Sequence, residues 1–351
     1  MPALGSPPER ARVGEARVLS LAPLGASLWR GPGRLGRMRL GVLDVGSNTV
    51  HLLVVDAHRG AHPTPMHDDR WPLRLAEQIG DDGQLSKAGE KALLHAVQEA
   101  CEQAQRQGCE ELLALVTSAI RDAGNGLEVL DRVRERTGVE LRVLTGEEEA
   151  RLTFLAVRRW FGWSAGRLLV LDIGGGSLEL AAGVDEDPDV ALSLPLGAGR
   201  MTRQFLPEAR AGGRPDLAAL TKLVAHAEDL IRPAARKLVR VGVPDLVVAT
   251  SKTFRTLARL TGAAPYSAGL WAPRELTLTG LDQLVGFVSR IESGALAELR
   301  GVSPDRAHQV PAGAAVAATA MRLLDVPCVR ICPWALREGV ILRRLDSLGG
   351  A

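Results

Sequence analysis

The chain has 351 residues, 46% of them apolar and 24% charged, the balance of a folded globular protein rather than a disordered or fibrous one. That length accommodates two ordinary domains, each with its own core. A formal charge of +2 excludes the broadly basic surface of a nucleic-acid-binding domain, so any hold on a polyanion must be local.

Residues 1–37 are rich in Pro, Gly and Arg without sustained periodicity and read as a disordered N-terminal extension; Met38 directly precedes the first ordered pattern and is a candidate translation start. From Leu40 short apolar strands alternate with amphipathic helices, the pattern of an α/β fold. "GVLDVG" and "VHLLVVD" read as a hairpin. A helix over 87–108 closes at Gly108, followed by a strand over 111–119, a helix over 126–138, a strand over 139–146 and a helix over 147–162. The stretch between the hairpin and the first helix, with His58, His62 and His67, reads as a surface loop whose irregular spacing argues against zinc. At Leu168 the opening pattern returns as strand, turn and strand over 168–184. A strand over 190–197, a helix over 218–240, a strand over 245–251 and mostly helical segments through 313–325 to 336–345 complete a longer second half. This division predicts a first lobe over 38–148 and a second over 149–335, with the C-terminal helix 336–346 a candidate to return to the first lobe. Cys101, Cys109, Cys328 and Cys332 show neither metal spacing nor a disulfide framework, which points to reduced thiols in a cytoplasm. Charged residues interrupt every long apolar run, so no membrane span is expected.

The two strand–turn–strand segments align: Asp44 falls on Asp172, Gly46 on Gly174, Thr49 on Ser177 and Leu52 on Leu180. A hairpin needs only a two-residue turn. Asp, Gly, Ser and Asn together imply more. Glycines permit close backbone approach, and consecutive N–H groups in such a turn form an anion site. A carboxylate at the strand end favours a bound phosphate only across a cation, for which Mg²⁺, or Mn²⁺ in its place, is suited. Gly46, Ser47 and Asn48 on one side, and Gly174, Gly175, Gly176 and Ser177 on the other, are therefore candidate phosphate cradles, with Asp44 and Asp172 as candidate metal ligands.

This duplicated strand–Asp–Gly turn resembles the actin, sugar kinase and heat-shock chaperone ATPase superfamily, which implies a two-lobed, ribonuclease H-like duplicated α/β fold. "VTSAIRDAGNG" (116–126), "LTGEEEARLTFLAV" (144–157), "LPLGAGRMT" (194–202) and "ALREGVIL" (335–342) resemble the exopolyphosphatase and guanosine pentaphosphate phosphohydrolase family, in particular its short two-domain actinobacterial exopolyphosphatases. The likeness runs from Met38 to about Arg344. It implies release of terminal orthophosphate from inorganic polyphosphate or guanosine pentaphosphate, a homodimer, and no nucleic-acid or membrane partner. A superfamily kinase and a non-catalytic polyphosphate sensor are the competing classes.

Individual roles follow. Thr145 and Glu148 have capping-box spacing, which gives Glu148 a structural task. Glu149, three before Leu152, shares that residue's inward face, and the resemblance makes it the carboxylate that orients and deprotonates water. The resemblance also adds Glu179 to the metal ligands and directs the Arg121 guanidinium at phosphate; an ion pair with Asp122 or Glu128 is the alternative for Arg121. "TSKTFRTLAR" opens a helix after a strand, placing N–H groups, Lys252 and Arg255 where an anion is favoured; a plain helix cap with a solvated Lys252 is the alternative. Its Ser-Lys in place of glycines speaks against an adenosine pocket. Arg337 and Glu338 read as helix-initiating residues, and Cys328 and Cys332 as flanking a short apolar strand.

Overall fold

A computed structural model describes residues 38–58, 62–80 and 82–348; the expected N-terminal extension, residues 1–37, lies outside them. The first sheet comprises β1 (Met38–Val45), β2 (Thr49–Ala57), β3 (Pro65–Pro72), β4 (Glu111–Val116) and β5 (Arg142–Val143), in the order β3-β2-β1-β4-β5. The second comprises β6 (Leu168–Ile173), β7 (Leu178–Gly183), β8 (Val190–Leu194), β9 (Leu246–Thr250), β10 (Glu275–Thr277) and β11 (Cys328–Ile331), in the order β10-β11-β9-β6-β7-β8. Taken from β8, the second sheet repeats the first: an antiparallel meander of three strands, then two parallel strands. The duplication read from the sequence thus extends to topology. It also holds residue by residue, because Asp44 pairs with His51 across the first hairpin and Asp172 with Glu179 across the second.

Helices α1 (Lys87–Arg106), α2 (Ser118–Arg121), α3 (Gly126–Thr137) and α4 (Gly146–Phe161) precede the second sheet. After them come α5 (Ala198–Phe205), α6 (Pro207–Arg210), α7 (Leu217–Val239), α8 (Ser251–Leu260), α9 (Leu278–Val288), α10 (Ser293–Leu296), α11 (Val310–Leu323) and α12 (Leu336–Leu348). β1 is apolar at nearly every position because both of its faces are covered. Leu43 and Val45 pack with Leu93 and Val97 of α1, while Leu40 and Val42 pack with Val340, Ile341 and Leu345 of α12. The C-terminal helix therefore lies on the first sheet. Helix α4 buries Phe154, Leu155 and Val157 with Leu168 and Val170 of the second. The two helices cross so closely that a Cβ on Gly339 would lie 1.9 Å from the Leu152 carbonyl oxygen, so only glycine fits there.

Three local expectations differ. The strand expected over 111–119 ends at Val116, because Ser118 opens α2. Of the strand expected over 139–146, only Arg142 and Val143 pair. The histidine-bearing stretch is not all loop: His67 lies in β3 and contacts Asp69 and Gln103, and the His62 ring packs against Trp271 and Trp334. The four cysteines are free thiols. Among the described residues no helix is long and apolar enough to cross a membrane.

Candidate active site

Both Asp-Gly turns close alike, Gly46 N–H donating to the Thr49 carbonyl at 3.1 Å and Gly174 N–H to the Ser177 carbonyl at 2.9 Å. What orients each turn is the element behind it. Ala198 and Arg200 N–H, at the start of α5, donate to the Gly174 and Gly175 carbonyls at 3.0 and 2.9 Å, and Arg200 Nε donates to the Gly176 carbonyl at 2.8 Å. In a trans peptide the N–H runs antiparallel to the preceding C=O. Three consecutive pinned carbonyls therefore send the N–H groups of Gly175, Gly176 and Ser177 the other way, the concave arrangement that favours an anion. This is the task of the "LPLGAGRMT" motif. Gly197 permits it, since a Cβ there would lie within 2.4 Å of the backbone of Gly175 and Gly176.

The glycines of the second turn also face a neighbour. A Cβ on Gly175 would lie 2.7 Å from Asn48 Nδ2, and one on Gly176 2.3 Å from Ser118 Oγ. The two turns are thus pressed together from opposite lobes. Ser47 and Ser118 share a buried 2.8 Å hydroxyl contact, and the Asn48 and Gln309 amides exchange two hydrogen bonds of 3.0 and 3.1 Å. The Asn48 side chain is consequently a fixture between lobes.

Above this floor lies a cavity of about 200 Å³. Asp44, Gly46, Ser47, Asn48, Glu149, Asp172, Gly174, Gly175, Ser177, Lys252 and Arg255 all line it, so residues proposed from separate motifs converge. Asp44 and Asp172, at the ends of equivalent central strands, face one space. Glu149 enters from the first turn of α4, whose capping box forms as expected: Glu148 N–H donates to Thr145 Oγ1 at 3.1 Å, and Thr145 N–H to Glu148 Oε2 at 2.8 Å.

Three candidate residues do not reach the wall. Gly176 lies against Ser118. Arg121 stands behind Glu149, donating from Nη1 to Glu149 Oε2 at 3.4 Å and to the Leu144 carbonyl at 2.9 Å; it also pairs with Asp122 at 3.3 Å. Glu179 is 3% exposed and accepts from Ser193 Oγ at 2.8 Å. Conversely, Arg70, Arg306 and Arg337 line the cavity without having been expected there. Arg337 Nη1 donates to Asp44 Oδ2 at 3.1 Å, and Arg306 Nη2 to Thr49 Oγ1 at 2.8 Å across the lobes. A second repeat also escaped the sequence reading. Thr117-Ser118 and Thr250-Ser251 follow β4 and β9 equivalently, each Thr extended and each Ser opening a helix. Ser251 holds a φ of 82°, the left-handed region that a non-glycine residue enters only under constraint.

Crowded carboxylates and burial govern the acid side. Burial, with the charges of Glu179, Asp172 and Asp44, pushes the Glu149 carboxyl well above its ordinary range, while Arg121 opposes. Burial lifts Asp172 to about 6, Arg255 opposing and Asp44 adding to the rise. Glu179 is raised by burial and by Asp172. On the basic side, burial and Arg306 lower the Lys252 ammonium to about 8, and burial also lowers Arg255 and Arg306. Both sets are charged groups held together without enough compensation, the condition of a site shaped for an ionic ligand.

A model of the Ppx/GppA phosphatase family matches residues 54–348. Exopolyphosphatase 1 of Mycobacterium tuberculosis (strain ATCC 25618 / H37Rv) is 60% identical over 310 residues, which cover 88% of this chain and 89% of that protein. Exopolyphosphatase 1 of Mycobacterium leprae (strain TN) is 57% identical over 310 residues, covering 88% and 90%. Among solved structures, an exopolyphosphatase from Cytophaga hutchinsonii matches with a TM-score of 0.78 at 21% identity, over 88% of this chain and 98% of its own. A Ppx/GppA family member from Aquifex aeolicus matches with a TM-score of 0.73 at 22% identity, over 90% and 100%. At such identities these structures speak to the fold, which is the same two-lobed α/β architecture.

Proposed function

Because this chain belongs to the Ppx/GppA phosphatase family, we propose that it is an exopolyphosphatase, releasing orthophosphate from the end of inorganic polyphosphate. One observation carries the reading: carboxylates from both lobes and five basic side chains, Arg70, Lys252, Arg255, Arg306 and Arg337, line a single cavity between two matching turns. A phosphate chain supplies what that lining lacks, several linked negative charges. Among the described residues, those lining the cavity include no Phe, Tyr or Trp on which a base would stack, which favours a chain without a nucleoside over guanosine pentaphosphate.

The residues fit a divalent cation. Asp44 Oδ1 is buried without a hydrogen-bond partner, an arrangement that costs free energy unless something occupies that oxygen. Among the described residues no three acidic, His or Cys side chains group closely enough to hold an ion by themselves. Mg²⁺ or Mn²⁺ would be held there by Asp44 and Asp172, with Glu179 behind them, and by the substrate's own oxygens. Such an ion supplies charge that offsets the phosphate oxygens.

In the proposed reaction the N–H groups of both turns bind the terminal phosphoryl group, while Lys252, Arg255 and the remaining cavity arginines hold the chain behind it. Glu149 takes a proton from a water molecule, and the resulting hydroxide attacks the terminal phosphorus. The bond to the bridging oxygen breaks, and the shortened chain leaves carrying the electron pair. A carboxylate whose affinity for protons has been raised is a stronger base for this step. Arg121, bonded to Glu149, aims it and opposes the rise in its proton affinity.

The test is phosphate release by the purified protein with Mg²⁺ from short polyphosphate, long polyphosphate and guanosine pentaphosphate, side by side. Release from polyphosphate, lowered about 10²- to 10⁴-fold in a folded Glu149→Gln variant, is the expected result. Release confined to guanosine pentaphosphate, or near-full turnover by Glu149→Gln, would overturn the assignment.

A further inference from the structure

The first phosphate turn is held from behind by residues 73–77. Leu73 and Arg74 N–H donate to the Asn48 carbonyl at 2.9 and 3.0 Å, and Ala76 N–H to the Ser47 carbonyl at 3.0 Å. By the same peptide geometry, these bonds fix the directions of the Asn48 and Thr49 N–H groups. This strap belongs to the first lobe, but its outer side is gripped by the second. Arg203 donates to the Ala76 carbonyl, Arg210 Nη2 to the Glu77 carbonyl at 3.4 Å, and His308 Nε2 lies 2.7 Å from Glu77 Oε1. His308 and Glu77 side chains are only 11% and 17% exposed. The next residue, Gln309, is the one that exchanges two hydrogen bonds with Asn48.

We infer that His308, acting through Glu77, is a positioning residue for phosphoryl transfer: it seats the 73–77 strap and so aims the amides of the first phosphate turn when the lobes are together. The second turn depends less on such help, since the α5 N–H groups that pin the Gly174 and Gly175 carbonyls belong to the same lobe, and only Arg200, which pins the Gly176 carbonyl, is paired across the seam, with Asp122. The first turn is aimed correctly only when the second lobe is docked. Catalysis is thereby confined to the closed molecule. A buried His–Glu contact at the lobe seam has a purely cohesive alternative, in which it adds stability and nothing else. The two separate in kinetics, because misaiming a phosphate-binding amide weakens the transition state more than the ground state.

The inference rests on the proposed polyphosphate hydrolysis, and the experiment keeps the two apart. His308→Ala, Glu77→Ala and the double variant are compared with the unaltered full chain for kcat, KM on polyphosphate, and unfolding midpoint. Each single change is expected to lower kcat/KM about tenfold, mainly through kcat, and the double to fall no further, the signature of two residues acting as one unit. His308→Gln, which keeps a donor toward Glu77, should recover most of the loss. Unchanged kcat with lowered midpoints, or losses that multiply in the double variant, would overturn the inference and leave the hydrolase standing. An unaltered chain inert on polyphosphate would overturn the hydrolase and this inference with it. Should the alanine variants not fold, His308→Leu combined with Glu77→Met replaces the pair by apolar groups of similar size and carries the same kinetic comparison.

Discussion

Replacing Asp172 by Asn should stabilise the protein while disabling it. The Asp172 carboxyl is pushed up to about 6 by burial, with Arg255 opposing and Asp44 adding. A carboxyl whose folded value lies above its unfolded value of about 4 penalises folding in a definite pH window. Below about pH 4 both states are protonated and the penalty is absent; it grows as the unfolded chain ionises first, and is complete above about pH 6. Two units of displacement correspond to about 3 kcal/mol. Asn stands in for the protonated carboxyl, and the attraction of Arg255 is already contained in the displaced value, so about 3 kcal/mol of stabilisation is expected at pH 7.5. The assay is denaturant unfolding of both proteins at pH 4 and pH 7.5 with a chelator, repeated at pH 7.5 with Mg²⁺. The variant should unfold later at pH 7.5, the difference should shrink to a small remnant at pH 4, and Mg²⁺ should close the gap by binding only the unaltered site. Equal stability at pH 7.5 without divalent ions, or the same difference at both pH values, would refute the reasoning.

Gly176→Ala sets a methyl 2.3 Å from Ser118 Oγ and should force the turns apart, lowering phosphate release by about 10²-fold with an unchanged circular dichroism spectrum; near-normal activity would mean that the contact is not kept during turnover. Gly339→Ala, whose methyl would meet the Leu152 carbonyl oxygen at 1.9 Å, should cost about 3 kcal/mol, measured as a lowered unfolding midpoint. Lys252, lowered to about 8 by burial and Arg306, loses its charge as pH rises through that value. The KM for polyphosphate should therefore climb above about pH 8, and Lys252→Arg, which stays charged, should flatten the climb; an identical inflection in both proteins would assign it to another group.

What the sequence disclosed, and what it hid, divides by the range over which each residue's environment is set. The Asp44 and Asp172 turns were legible because their strands are buried on both faces and read as near-continuous apolar runs, with polar residues standing out at the strand ends. The Thr145–Glu148 cap was legible because its geometry is wholly local. β3 was not: Pro65–Pro72 is an edge strand, with Pro at both ends and charged residues between, the composition that protects an exposed edge and that reads as loop. Arg70 was lost with it. Arg337 looked like an ordinary first-turn residue of α12, since nothing near it in sequence announces Asp44, 293 positions away.

The hidden residues share one character. Arg70, Arg306 and Arg337 bring charge to the cavity from segments far apart in the chain, whereas the two Asp–Gly turns, like the helix start that carries Lys252 and Arg255, are local features. A cradle depends on local conformation, which glycines and caps inscribe in short motifs. A charged wall needs only arginines brought to one place from anywhere in the chain, so its sole signature is the fold. The motifs therefore mark the two turns, whereas Arg70 and Arg306 lie outside every one of them and Arg337, inside "ALREGVIL", is told from a helix-initiating residue only by the fold. Arg306 illustrates the point, because it reaches Thr49 from the other lobe and so joins this wall only where the two turns have met.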